Sequence, residues 1–180
     1  SSFWFTTVVE KQPVTPPLTL AITREIFGCR ILGVDDNHTN RRLLEAYLQS
    51  WGCRFELVRN GSQALAKLQE AVISGDPYDI AILDMQMPDM DGETLGEIIK
   101  TDPMVRDVVL VMMTSFGRRG DASRLEEKGF AGYLTKPVRQ AQLHDCLIMS
   151  LGQTSHEEFS GSRRIVTRHT IAEARRGRRS

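Results

Sequence analysis

The chain has 180 residues, 41% hydrophobic and 26% charged, enough to bury one full core with residues left over for tails. Its 23 basic and 23 acidic side chains cancel, which gives no reason to expect nucleic acid or an anionic membrane surface as a partner. No apolar run approaches the ~20 residues of a membrane span, and the opening residues lack the pattern of a secretory signal. Cys29, Cys53 and Cys146 fit neither a disulfide framework nor a zinc site and are expected as packing thiols in a reducing cytosol.

Phe3, Trp4, Phe5, Thr6, Thr7, Val8 and Val9 are rich in strand formers, and the following segment with Pro13, Pro16 and Pro17 is expected as a linker. From about Cys29 to Leu151 strand and helix patterns alternate. The first strand is expected at Arg30 to Val34. The first helix is expected from His38 to Trp51, with Leu43, Leu44, Tyr47, Leu48 and Trp51 at helical spacing. A second strand, Arg54 to Val58, turns at Asn60-Gly61 into a second helix, which Gly75-Asp76-Pro77 stops. The third strand is Ile80 to Leu83, followed by a helix starting near Gly92. The fourth is the apolar Val108 to Met113, followed by a short polar helix from Arg118 to Lys128 with Leu125 as its main apolar residue. The fifth strand is Ala131 to Leu134, and a last helix follows Pro137. Residues 152–180 are polar and end in a basic segment, expected as a linker toward a following domain. No aromatic side chains interleave its arginines, which argues against nucleic-acid binding.

Strands that are apolar on both faces imply a sheet covered on both sides, hence parallel strands with helices on either face. The fold class is therefore α/β, a doubly wound parallel sheet built from five strand-helix units. Right-handed crossovers bring every strand's C-terminal end to one edge, where such sheets bind ligands. That edge would collect Asp35 and Asp36 after the first strand, Asp84 after the third, Thr114 after the fourth and Lys136 after the fifth. Clustered carboxylates repel unless a cation intervenes. A hard divalent ion such as Mg²⁺ accepts one or two carboxylates plus phosphate oxygens. Asp84 is placed to act as a nucleophile, and Lys136 offers a point charge to a phosphoryl oxygen.

Val34-Asp35-Asp36-Asn37, Leu83-Asp84-Met85-Gln86-Met87-Pro88, Thr114-Ser115 and Tyr133-Leu134-Thr135-Lys136-Pro137 occur in the order, spacing and strand context of one family. Residues 29–151 resemble a receiver (response-regulator) domain of two-component signalling, which implies a flavodoxin-like (βα)5 doubly wound parallel sheet with strand order 2-1-3-4-5. The resemblance implies that Asp84 accepts a phosphoryl group from a phosphohistidine. It implies Mg²⁺ bound by Asp36 and Asp84 with the Gln86 backbone carbonyl, and Asp35 acting through a metal-bound water. It further implies a switch pair, Thr114 and Tyr133, in which the ring turns inward, a phosphoryl contact from Lys136 and a cis Lys136-Pro137 bond. Taken alone, Asp35 and Asp36 would be read as a helix cap, His38 as a solvated residue of the first helix, Asp89 as loop solvation and Asp91 as the cap of the third helix. Phe116, close after Thr114, is expected at the mouth of the site, where with Gln86 it would limit access of water.

The flanks are less specific. Phe3-Trp4-Phe5-Thr6 with Glu10-Lys11-Gln12 is similar to the final strand of a histidine-kinase ATP-binding domain, and Arg164 to Arg176 resembles linkers that precede a second receiver. They suggest the first receiver of a hybrid sensor histidine kinase, with 1–28 as the end of a kinase domain plus linker. On that reading the partners are a histidine-containing dimerisation domain, and a histidine phosphotransfer domain or second receiver. There would be no nucleic acid and no direct membrane contact, in a cytoplasmic location even if the parent protein is membrane-anchored. Phosphoryl acceptance makes the chain self-promoting in its phosphorylation without settling whether it counts as an enzyme. Two alternatives stay open: a non-phosphorylated receiver-like docking module, and a haloacid-dehalogenase-like phosphatase, from whose Asp-x-Asp motif Asp35-Asp36-Asn37 departs.

Overall fold

A computed structural model describes residues 26–118, 120–155 and 165–177. The strand-like segment at Phe3 to Val9, the proline-containing linker and the arginines at 163, 164, 178 and 179 lie outside the described residues. The elements are β1 (Arg30–Val34), α1 (His38–Ser50), β2 (Arg54–Val58), α2 (Gly61–Ile73), β3 (Ile80–Asp84) and α3 (Gly92–Thr101). They continue with β4 (Val109–Thr114), α4 (Asp121–Glu127), β5 (Phe130–Thr135), α5 (Gln140–Ser155), β6 (Val166–Thr167) and α6 (Arg168–Gly177). The six strands among the described residues are parallel, in the order β2-β1-β3-β4-β5-β6. The order expected from the sequence is present, with β6 added at the β5 edge.

The strand pattern explains the two-sided burial. Leu32, Val34, Ala81, Leu83, Leu110 and Met112 pack on one face of the sheet with Ala64, Leu68, Leu95, Ile99 and Leu125. Their strand neighbours Ile31, Ile80, Ile82, Val109 and Val111 pack on the other with Leu44, Leu48, Leu143, Cys146 and Leu147. Successive residues point to opposite faces, so a strand wanted by both cores is apolar throughout. Ile26 is fully buried in the second core, so the domain's packing begins before β1.

Helix starts are set locally. Asn37 caps α1, its side chain accepting from the backbone N–H of Thr39 and Asn40. Asn60 caps α2 through Gln63 N–H. Asp91 caps α3 through Thr94 N–H. Each supplies an acceptor to backbone N–H groups that the first turn leaves unpaired. Asp91 thus has the capping role expected of it, while Asp89 sits in the loop with a left-handed backbone, φ 68°. The arrival of α3 depends on Gly92. A Cβ there would overlap the Asp84 carbonyl oxygen, and Gly92 N–H donates to Met85 O at 3.1 Å.

Within the region 152–180, expected as a polar linker, residues 165–177 are structured. β6 pairs with β5 in the register Gly132↔Val166 and Tyr133↔Thr167, and Ile165, Val166 and Ile171 are buried. The exposed edge of β5 offers unpaired backbone groups that a short apolar segment can satisfy.

Candidate functional site

Register aligns the site. Val34 pairs with Leu83, Asp84 with Met113 and Thr114 with Thr135, so the residues that end or follow β1, β3, β4 and β5 share one level at the C-terminal edge. Backbone bonds continue past the strands: Asp35 N–H to Val58 O, Met85 N–H to Met113 O, and Lys136 N–H to Thr114 O at 2.7 Å. The topological switch lies between β1 and β3, where the carboxylates are expected to converge.

They do converge. One oxygen each of Asp35, Asp36 and Asp84 lies within 4.8 Å of the others. Asp35 and Asp84 are buried while Asp36 faces outward. Lys136 Nζ lies 2.8 Å from Asp35 Oδ2 and 2.9 Å from Asp84 Oδ1. One ammonium thus serves two buried carboxylates. Burial pushes the Asp84 carboxyl above its usual range; Lys136 pulls it back in part, and Asp35 raises it further. Asp35 is also fixed by Asn37 N–H (2.9 Å) and Asn40 Nδ2 (3.2 Å) donating to its Oδ1. Arg41 donates to the backbone carbonyls of Asp35 and Asp36. Gln86 N–H reaches toward Asp84 Oδ1 at 3.5 Å. Three acids against one cation make a donor set suited to a hard divalent ion.

The expected switch residues lie at the end of β4 and within β5. Thr114 is buried, and its hydroxyl donates to Phe116 O (3.1 Å) and accepts from Phe116 N–H (3.2 Å). The Tyr133 ring is buried, and its hydroxyl donates to Asp121 Oδ2 at 3.3 Å; burial and the Asp121 charge raise the phenol's pKa. Asp121 also accepts from Arg118 N–H at 2.7 Å and pairs with Arg124. Met85, Gln86, Thr114, Phe116, Asp121 and Arg124 are among the residues lining an open depression of about 480 Å³, with the Phe116 side chain 71% exposed. On the other side of Lys136 an apolar groove of about 360 Å³ runs between α1 and α5, lined by Leu43, Tyr47, Pro137 and Val138 among others. The Lys136-Pro137 bond is cis, as expected.

Asp35, Asp36, Asp84 and Lys136 are thus brought together, with Gln86 N–H beside Asp84 and Thr114 at the neighbouring strand end, whereas Tyr133 stands further back on β5 and is held by Asp121. His38 is exposed at the start of α1. Asp121 is a residue that sequence reasoning missed as a partner of Tyr133. An acid in the first turn of a short helix reads as ordinary dipole compensation, so the sequence carries no separate signal for it. Asn40 and Arg41 were likewise indistinguishable from surface residues of α1.

The model of the response regulator receiver domain family matches residues 31–148. The chain belongs to this family. Across 136 residues this receiver is 32% identical to the signal transduction histidine-protein kinase BarA of Shigella flexneri, covering 76% of this chain and 14% of that protein. Across 116 residues it is 39% identical to the response regulator PleD of Caulobacter vibrioides, covering 64% of this chain and 24% of PleD. The chain therefore spans only a small part of the curated relatives it matches. Among solved structures it is similar to the receiver domain of sensor histidine kinase PA1611 from Pseudomonas aeruginosa, described with a magnesium ion coordinated in the active site cleft. The identity is 31%, the match covers 69% of this chain and 98% of that one, and the TM-score is 0.61. A signal receiver domain of a Syntrophus aciditrophicus histidine kinase is 28% identical, with coverage of 75% and 98% and a TM-score of 0.61. The protein is a receiver domain of two-component phosphorelay, consistent with a receiver of a hybrid kinase. Among the described residues no helix is long and apolar enough to cross a membrane.

Proposed function

We propose that Asp84 is the phosphoacceptor of this receiver and that it takes its phosphoryl group from a phosphohistidine on a kinase dimerisation domain or a histidine phosphotransfer domain. The observation that carries the reading is the meeting of Asp84 with Lys136 at 2.9 Å, beside Asp35 and Asp36, at the C-terminal edge of a parallel sheet. An Asp84 carboxylate oxygen attacks phosphorus, the N–P bond of the donor imidazole breaks, and the imidazole nitrogen keeps the electron pair and takes up a proton.

Lys136 exchanges one carboxylate contact for a phosphoryl oxygen, which positions the group without covalent chemistry of its own. Asp35, Asp36 and Asp84, with the Gln86 backbone carbonyl, would hold Mg²⁺, which when bound supplies positive charge to the phosphoryl oxygens. Asn37 and Asn40 keep Asp35 oriented. Thr114 turns its hydroxyl from Phe116 O to the phosphoryl oxygens, and Tyr133 reports that movement from β5. The exposed Leu43 and the apolar groove beside Lys136 offer the incoming histidine domain a surface next to the reacting carboxylate.

Beyond the chemistry, residues 29–151 are read as the receiver. Residues 1–28 are read as the end of a kinase ATP-binding domain with its linker, and the C-terminal region as a connection toward a further domain. The parent is a hybrid histidine kinase working at the cytoplasmic side. Intact-protein mass after incubation with Mg²⁺ and a small acyl phosphate tests the core of this reading. One phosphoryl addition is expected in the wild type and none in Asp84→Asn or without Mg²⁺. No addition, or an addition that survives Asp84→Asn, overturns it.

A further inference from the structure

The β5 edge carries an occupant from beyond the family match, which ends at residue 148. Residues 165–177 lay β6 along β5 and fold back as α6 against α5 and β5. The segment straddles the sheet. Ile165 belongs to the core of Leu125, Phe130 and Tyr133, whereas Val166 and Ile171 belong to that of Leu134, Leu143, Cys146 and Leu147. Thr167 N–H donates to Thr170 Oγ1 at 2.7 Å, and the Thr170 hydroxyl donates back to Thr167 O at 2.8 Å, which fixes the turn from strand to helix.

Part of the hold on this segment passes through α4. Glu126 Oε1 accepts from Ile165 N–H at 3.0 Å, while Asp121, at the other end of the same seven-residue helix, accepts from Tyr133 Oη and Arg118 N–H. Thr167 is the register partner of Tyr133. The Thr114 hydroxyl is bonded to Phe116, in the segment that leads to Arg118. A Thr114 hydroxyl drawn to a phosphoryl group on Asp84 must leave Phe116. That loosens the loop whose Arg118 N–H anchors Asp121, and with it the helix that holds both Tyr133 and Ile165. Leu125 is the one fully buried side chain of α4 among the described residues, so little packing opposes its displacement.

We propose that residues 165–177 are a built-in ligand of the β5 edge and the adjoining α4 and α5 surfaces, held while Asp84 is unmodified and loosened when it is phosphorylated. The inference rests on the phosphoacceptor reading above. The segment's contacts to Glu126 and β5 belong to the unmodified arrangement of α4, and that difference between the two states is what allows phosphorylation to shift its docking.

Hydrogen exchange on the full chain tests this, comparing protein with Mg²⁺ alone and with Mg²⁺ plus a small acyl phosphate, with intact mass taken on the same samples. Amides of peptides covering 166–171 are expected to exchange at least about tenfold faster once the phosphoryl group is on, with those of β3 unchanged. Ile171→Asp is expected to take up the phosphoryl group as the wild type does, yet to exchange rapidly at 166–171 in both samples. Glu126→Gln is expected to do so in part. Phosphoryl addition with unchanged exchange at 166–171 overturns the inference alone. Failure of phosphoryl addition overturns the phosphoacceptor reading and this inference with it. Retained protection in Ile171→Asp overturns the docking.

Discussion

At the scale of single residues, Lys136 governs the balance of the site. It lies within 3 Å of two buried carboxylates, and burial still leaves Asp84 harder to ionise than a free aspartate. The sign of the effect on stability follows. Because the folded-state pKa is raised, the unfolded chain gives up this proton first as pH rises past about 3.9. The fold loses stability across that interval, and the deficit persists at neutral pH. Asp84→Asn removes the charge and leaves Lys136 its contact with Asp35. In metal-free buffer at pH 7 we expect the variant to have the higher melting midpoint. The difference should disappear near pH 3, where both states of the wild type hold the proton. Thermal denaturation at the two pH values checks it; a wild type as stable as the variant at pH 7 counts against the burial argument.

At the scale of elements, the join between β3 and α3 sets where Asp84 stands. Gly92 lets the helix start in contact with the Asp84 carbonyl. The obstruction a side chain would meet is backbone, which cannot swing aside as a flexible side chain can. Gly92→Ala is expected to cost about 1–3 kcal/mol, as overpacking does. It should appear as a lower urea midpoint with an unchanged slope, together with slower phosphoryl uptake. β1, β3 and β4 were legible in the sequence because each is apolar on both faces, and the acids and hydroxyl at their ends were legible because loops follow at once. β6 was not. Two residues are too few to show a period, and α6 carries Ile171 among arginines, so its burial depends on an edge some thirty positions earlier in the chain. The Tyr133–Asp121 bond was hidden for the same reason, since it joins two elements across space rather than along a pattern.

At the scale of the whole molecule, one of the two cores holds all three thiols, at different depths. Burial pushes Cys53 and Cys146 up to about 12, and Cys29, which is partly buried, is raised as well. The thiolate is the reactive species, so at pH 8 a native chain should resist alkylation at Cys53 and Cys146, while a denatured one takes up reagent at all three cysteines. Adduct counting by intact mass checks this; rapid native labelling of Cys146 would mean that the α5 face opens without global unfolding.

The pairing of Lys136 with Asp35 has a consequence for a chain still being made. The two residues are 101 positions apart, and the ammonium arrives only after the acids of β1 and β3 have been synthesised. A nascent chain that stops after β4 would hold its acids together without their counter-charge, and would lack the ammonium that positions a transferred phosphoryl group. The site is thus completed only when β5 has been made and its ammonium reaches back across the sheet to the acid of the first strand's end.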